Sequence, residues 1–579
     1  MFQEKSSSDL DGREFSLLVL ALAGLFLVLY VLSLFGRPLF IPDEVRYAEM
    51  AREMIVHGNW IVPRLDGLLY FEKPPLGHWL NAIALVVFGE NEFAVRIASA
   101  LSAGITALMA YVLCRKFFES RATALLTVFI YLTCFEVQVV GTLSVLDTMF
   151  TAALNLGIGF MVLSAIAEEK PAQTRLMLLG GCILGLAFLA KGFLGFVLPG
   201  IVLLPWLLWE KKYAVLLKRS WLAVGAAIAI VLPWAIAIHI QQPDFWRYFV
   251  VVEHLQRFAA ENAQHKAPAY YFLMGLPLVT FPWFFLLPAG ISGLVAPRGE
   301  RSVQAKSGIA LMVLWAVVPF AFFSVASGKL ITYILPCFLP FSILMAYGLR
   351  HYLARVRDSR RMMNIGLVFV SLVFLVALVS LWRAQFGSAG QGLYMADEMG
   401  RFYILAAVLG LGVIIPVAGM YVRGGSRGFL AGGLAIIPVV FALQFVLPDE
   451  VMQHKAPGAF LESLAGEVTP DTIVITNGSL VRAVSWHLKR DDVYVIQNKG
   501  ETAYGLDAPD GAGRFLEPLD LASLLRQHAS SNDVLIVCKN PCNKDTREFI
   551  SANAEANSYG NFYSYLIRKS APADEAEVN

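Results

Sequence analysis

Charge is what this chain is short of. Only 16% of its 579 residues are Asp, Glu, Lys or Arg, while 57% are hydrophobic; a soluble domain carries about a quarter charged residues. One large core cannot absorb that excess, because single cores stop growing near ~250–300 residues. Lipid must therefore solvate much of the chain. Basicity is also missing: the net charge is +2, which gives no footing for a nucleic-acid partner. There is no Gly-rich phosphate loop, which argues against a primary pump. The only Asp-x-Asp is Asp9-Leu10-Asp11, in a short tail with no nucleotide fold around it, so a cytoplasmic nucleotide-sugar donor is not supported. A cleavable secretory signal is not expected either, since the first apolar run, Phe15 to Phe35, is long enough to span a bilayer. Cysteine is sparse, with six residues. Cys114, Cys134, Cys182 and Cys337 lie in or beside apolar runs and read as small hydrophobes. Cys538 and Cys542 sit in a polar segment, where their spacing permits a local disulfide if that segment is extracytoplasmic.

What is present is a series of apolar runs of spanning length. They cover residues 15–35, 93–113, 122–140, 146–166, 176–190, 194–209, 221–240, 270–294, 308–326, 330–348, 362–382, 403–422 and 428–447, or about thirteen helices by the ~20-residue rule, with the fifth and sixth short. Every second connection is basic: Arg115, Lys116 and Arg121; Lys170 and Arg175; Lys211, Lys212, Lys218 and Arg219; Arg298, Arg301 and Lys306; Arg350 to Arg361; Arg423 and Arg427. Lys5 and Arg13 in the N-terminus fall in the same set. The positive-inside rule makes that set cytoplasmic and puts the other loops and the C-terminus outside.

The outer side holds the polar chemistry. The first outer loop, residues 36–91, contains Asp43 to Met54 with helical spacing; Tyr47, Met50, Ala51 and Met54 make a stripe with charges opposite, which suits a helix lying at the membrane surface. A second long outer loop covers residues 241–269, and a third lies near residues 383–401. The reading is thus a membrane domain over residues 1–450 and an extracytoplasmic α/β domain over residues 451–579. In the latter, strand-like runs at 472–476, 493–497, 534–538 and 562–567 alternate with helical runs near 480–489, 520–528 and 546–554. The acidic end, residues 573–579, reads as disordered.

Several constellations in the outer loops could carry chemistry. Asp43, Arg46 and Tyr47 share a helix face at i, i+3 and i+4. A carboxylate, a guanidinium and a phenol together suit a site that binds phosphate and positions a nucleophile, although acids at a helix start also serve as simple caps. Lys73, before Pro74 and Pro75, is held in extended backbone at headgroup level, a natural partner for a lipid phosphate. His78 and Trp79 read as interfacial packing. Asp147 opens the fourth helix and is either a cap or a functional acid at the membrane edge. Lys191 snorkels or meets a lipid phosphate. Glu253 and Arg257 are spaced for a helix salt bridge. Lys329 and Tyr333 are both within reach of a headgroup. The pentapeptide Gln-His-Lys-Ala-Pro occurs at residues 264–268 and again at 453–457, without a physical explanation.

At these residues the chain resembles a known family. Pro-Asp-Glu-x-Arg-Tyr-Ala-Glu at residue 42, Tyr-Phe-Glu-Lys-Pro at 70, Ala-Lys-Gly at 190, Glu-His-Leu-Gln-Arg-Phe at 253 with Ala-Gln-His-Lys-Ala-Pro at 263, and Gly-Lys-Leu-x-Thr-Tyr-Ile-Leu-Pro at 328 are similar to motifs of the bacterial aminoarabinose lipid A transferases. That family belongs to the protein O-mannosyltransferase-like membrane glycosyltransferases. The resemblance implies an all-α polytopic membrane domain of the GT-C type followed by a small soluble α/β domain, in the bacterial inner membrane with the active site periplasmic. It implies a 4-amino-4-deoxy-L-arabinose donor on undecaprenyl phosphate and a lipid A phosphate acceptor. It places the main catalytic acid at Asp43; Asp147, the acid at the membrane edge, is the second catalytic candidate, read from its position. Lipid-phosphate contacts fall at Arg46, Lys73 and Tyr333; Tyr47, Tyr70, Lys191 and Arg257 complete the substrate-binding set. No cofactor is required, but a divalent metal ion is associated with Glu72, for which His254 is a candidate partner. No functional residue is matched in the C-terminal domain.

Two other classes stay open at this point. A polyprenyl-phosphate-dependent protein O-glycosyltransferase would use Asp43 as a general base. A lipid carrier or flippase would place charges in mid-helix along a route across the membrane, whereas Asp43, Lys73, Asp147 and Lys191 all fall near the outer rim.

Overall fold

The computed structural model describes residues 10–256, 265–295, 301–355, 359–387, 392–422, 428–528, 531–543, 546–547, 550 and 554–569. The chain divides into two compact units: residues 1–36 with 96–446, and residues 37–95 with 447–579. The first outer loop is thus grouped by its contacts with the C-terminal segment, not with the helices that flank it in sequence.

The first unit is helical, and a helix coincides with each of the thirteen apolar runs. Among the described residues, nine helices, from Gly12–Phe35 to Ala396–Tyr421, are long and apolar enough to cross a membrane. Leu194–Trp209 and Leu430–Ala442 are shorter, and two runs are broken, Arg121–Thr133 with Phe135–Gly141 by 64° and Tyr271–Val279 with Trp283–Val295 by 95°. The expectation of unbroken spans there is corrected. The breaks have a visible cause in the second case, where Pro282 and the preceding Thr280–Phe281 interrupt the ladder. They also satisfy one another. Phe135 N donates to Phe281 O at 3.0 Å, and Trp283 Nε1 donates to Thr133 Oγ1 at 3.1 Å. Polar groups freed in a membrane must find such internal partners. Close helix packing uses small residues: a Cβ on Gly293 would collide with the Gly348 carbonyl, and one on Gly348 with that of Gly290.

The second unit is built on a six-stranded sheet. A separate hairpin pairs β1 (Arg64–Leu65) with β2 (Leu68–Leu69). The large sheet contains β3 (Ile473–Asn477), β4 (Tyr494–Ile496), β5 (Phe515–Leu516), β6 (Val534–Lys539), β7 (Glu555–Tyr559) and β8 (Phe562–Ile567). Its order is β5-β4-β3-β6-β8-β7, parallel from β5 to β6 and antiparallel beyond. The strand-like and helical runs read from the sequence recur here, except that the run at 546–554 lies mostly outside the described residues, as does the acidic end. Cys538 and Cys542 form a disulfide at a Cα–Cα distance of 5.7 Å.

The helix Asp43–Val56 forms as its spacing predicts, but its setting differs. Every residue from Glu44 to Met54 is buried, so it is not a one-faced surface helix. Val45, Ala48 and Ala51 pack with Leu480, Val484 and Trp486 in one core. The charged face is buried because it is paired: Arg37 with Glu44 at 2.5 Å and Arg52 with Glu49 at 2.7 Å. Glu53 accepts from Gly67 N at 3.1 Å. Buried charges require such partners.

Candidate active site

In the second unit the candidate residues converge on Arg46. Asp43 opens the helix half-exposed, and Arg46, one turn on, is buried. Arg46 Nη2 pairs with Asp43 Oδ1 at 2.5 Å and donates to Tyr47 Oη at 3.0 Å, with the guanidinium 4.6 Å from the Tyr47 ring centroid. Its Nη1 pairs with Glu501. Glu501 Oε2 lies 3.1 Å from Nη1 of Arg482, which is also buried. Tyr70 Oη donates to Glu72 Oε2 at 3.1 Å, and Lys73 Nζ to the Glu72 carbonyl at 2.9 Å. Lys73 is within electrostatic reach of both Glu501 and His78.

The electrostatics fix several charge states. Burial disfavours charge on Arg46, but Tyr47, Tyr70, Glu501 and Asp43 outweigh it and hold its pKa well above the usual guanidinium value. Burial would raise Glu501, yet Arg46 and Arg482 hold it below the ordinary carboxylate range. Tyr70 is pushed well up, first by burial, and stays a neutral phenol. His78, fully buried with its ring 5.8 Å from Tyr47, is pushed down to about 3 by burial and then by Arg46 and Lys73. It is a neutral imidazole inside the cluster, not only an interfacial anchor.

A second group forms within the helical unit. Asp147, in the first turn of Leu146–Ile166, pairs with Lys191 at 2.6 Å. Lys191 Nζ stands 4.5 Å from the Tyr333 ring centroid. His254 lies beside this turn: Gly192, at φ +71°, has no side chain, and a Cβ there would come within 2.6 Å of His254 Nε2. The His254 ring meets Phe249 and Phe193 edge-on, and its Nδ1 bonds the Phe249 carbonyl at 2.7 Å. Arg257 lies outside the described residues. Among the described residues no three His, Cys, Asp or Glu side chains converge as a cation site.

Three residues of these groups escaped the sequence reading. Glu136 is buried in the broken helix, within electrostatic reach of Asp147, and its Oε1 has no hydrogen-bond partner among the described residues. An acid inside an apolar run is a signal in itself. Arg482 and Glu501 carry no local signal, because only the fold of the sheet unit brings them to Arg46.

A many-helix membrane unit and a sheet unit with cationic side chains gathered among acids are matched by known membrane glycosyltransferases. The Dolichyl-phosphate-mannose-protein mannosyltransferase family model matches residues 15–249. The model of the arabinosyl transferase ArnT C-terminal domain matches residues 452–566. The crystal structure of ArnT from Cupriavidus metallidurans bound to undecaprenyl phosphate has the same fold, with a TM-score of 0.77 over 96% of this chain and 99% of that one, at 22% identity. The undecaprenyl phosphate-alpha-4-amino-4-deoxy-L-arabinose arabinosyl transferase of Shewanella sediminis is 37% identical over 512 residues, 87% of this chain and 90% of that protein. The Erwinia tasmaniensis enzyme of the same name is 38% identical over 516 residues, 88% and 91% of the two chains. This chain belongs to that arabinosyl transferase family.

Proposed function

We propose that this chain transfers 4-amino-4-deoxy-L-arabinose from undecaprenyl phosphate to a phosphate of lipid A, on the periplasmic side of the bacterial inner membrane. The family supports the donor and the reaction class. The alternating basic loops support the orientation. The single observation that carries the site is the buried Arg46, clustered with Asp43, Tyr47 and Glu501 in electrostatic reach of Tyr70.

In the reaction, an oxygen of the acceptor phosphate attacks the anomeric carbon. The bond from that carbon to the donor phosphate oxygen breaks, and undecaprenyl phosphate leaves with the electron pair. The acceptor phosphate is already ionised near neutral pH, so no strong base is needed. The demand is for cations around the leaving phosphate, where charge grows. Arg46 and Lys73 supply it, and the neutral phenol of Tyr70 adds a donor once its O–H turns from Glu72 to the phosphate. Asp43 balances positive charge on the anomeric carbon or holds the sugar ammonium. In the helical unit, Asp147 with Lys191 and Tyr333 forms a second polar contact set for the substrates. The reading is tested by mass spectrometry of lipid A from cells with and without this chain. An aminoarabinose mass increment that depends on the chain supports it. Identical spectra under conditions where the donor is made contradict it.

A further inference from the structure

The Val481–Leu488 helix contributes Arg482 to the cluster around Arg46, and its geometry is unbalanced. Arg46 and Arg482 are 7% and 5% exposed, and both are paired with one carboxylate, Glu501. Arg46 has a second partner in the half-exposed Asp43, whereas Arg482 has, among the described residues, only its share of Glu501, and a buried charge is expensive unless it is fully paired. The hydrogen-bonding capacity is also unspent. Arg46 Nε, Arg482 Nε and Arg482 Nη1 have no hydrogen-bond partner among the described residues, and neither has Glu501 Oε2. The Arg482–Glu501 contact, at 3.1 Å, is therefore a charge contact without an aligned hydrogen bond. A guanidinium presents donors in a planar fork that matches two oxygens of a phosphate.

We propose that Arg482 is a lipid-phosphate-binding residue of this site, held near Glu501 until a phosphate oxygen takes its Nε and Nη1. The proposal rests on the transfer reaction above, which brings two lipid phosphates to one place. It gives the C-terminal segment a direct part in substrate binding. Burial and the neighbouring Arg46 lower the proton affinity of Arg482, and Glu501 works the other way; the arrival of a phosphate adds to the pull of Glu501.

The test uses the full-length protein in lipid nanodiscs, as wild type, Arg482→Ala and Arg482→Lys. Undecaprenyl phosphate binding is measured directly, and transfer is measured at varied lipid A concentration. Loss of a charge-assisted contact predicts a ten- to hundredfold weakening. Weaker undecaprenyl phosphate binding identifies the donor phosphate as the ligand. Unchanged binding with a raised KM for lipid A identifies the acceptor phosphate. Arg482→Lys, which keeps the charge but loses the fork, falls between wild type and Arg482→Ala in binding while its melting temperature stays at the wild-type value; a purely structural role lowers melting temperature and binding together. If folded Arg482→Ala matches wild type in both binding and KM, the proposal is overturned. Should Arg482→Ala fail to fold, wild-type binding and KM in Arg482→Lys overturn it instead. A wild-type protein that transfers no aminoarabinose, but whose undecaprenyl phosphate binding depends on Arg482, sinks the transfer reading and leaves this inference standing.

Discussion

Replacing Arg46 by Ala separates a binding role from a structural one, because the structure sets different sizes for the two. Removing one member of a buried ion pair costs about 3–5 kcal/mol when the partner is left buried and alone. Neither partner is left so here. Asp43 is 48% exposed and returns to water, and Glu501 keeps Arg482 at 3.1 Å. The stability cost should therefore fall to about 1–2 kcal/mol, the scale of an ordinary net hydrogen bond. For a unit of this size that is a drop of about 2–8 °C in melting temperature. The functional loss is larger, since a charge-assisted contact to phosphate is worth about 1.5–3 kcal/mol, or ten- to a hundredfold in donor use. The assay is transfer to lipid A per folded molecule, with detergent-solubilised yield and thermal melting on the same preparation. Wild-type transfer at normal yield would remove Arg46 from the phosphate site. A melting point lowered by more than ~15 °C would show that its role is chiefly to hold the fold.

Three further perturbations test other parts of the account. His78 and His487 are held neutral, at about 3 and about 4, first by burial. The unfolded chain binds more protons between those values and the ordinary 6.5, so stability should fall as pH drops below 6.5, by at most ~1.4 kcal/mol per unit per histidine. His78→Gln should flatten that slope in a pH series of melting curves, and an unchanged slope would contradict the assignment. Asp66→Ala removes the fully buried carboxyl, pushed well above its ordinary range by burial, that accepts from Arg514 at 2.8 Å. Arg514 keeps the Val493 carbonyl at 2.6 Å, so the loss should sit near the low end of the range for broken buried pairs, ~3 kcal/mol, seen as a melting shift; no shift would mean that the pair contributes nothing. Gly192→Ala meets both backbone strain of ~1–3 kcal/mol in a region that glycine alone adopts readily and a clash with His254, and should cut transfer several-fold while the protein still inserts. Wild-type activity there would show that the turn beside Lys191 tolerates displacement.

The membrane helices were legible because lipid leaves the sequence little choice: each apolar run became a helix or a broken pair of helices. The two breaks were not, since hydropathy averages over a window and does not register that Phe135 N and the Phe281 carbonyl satisfy each other. The helix at Asp43 was legible in its spacing, but its burial was not, because Glu44, Glu49 and Arg52 look solvent-facing until their partners are known. Asp66-Gly67, both left-handed in a two-residue hairpin, carried a turn signal that the reading passed over. So did Glu136, an acid within an apolar run. Arg482 and Glu501 had no signal at all, since their proximity to Arg46 exists only in the fold.

The central claim is that the charge of Asp43 serves transfer and not merely the start of a helix. Asp43→Asn tests it: Pro42, not Asp43, holds the cap position and no side chain caps the helix, and Asn keeps the shape and an oxygen that still accepts from Arg46. The decisive measurement is lipid A mass spectrometry of cells carrying this variant, with yield and melting temperature of the purified protein alongside. The account predicts a normally folded protein and no aminoarabinose on lipid A. A variant that modifies lipid A at the wild-type rate would contradict it.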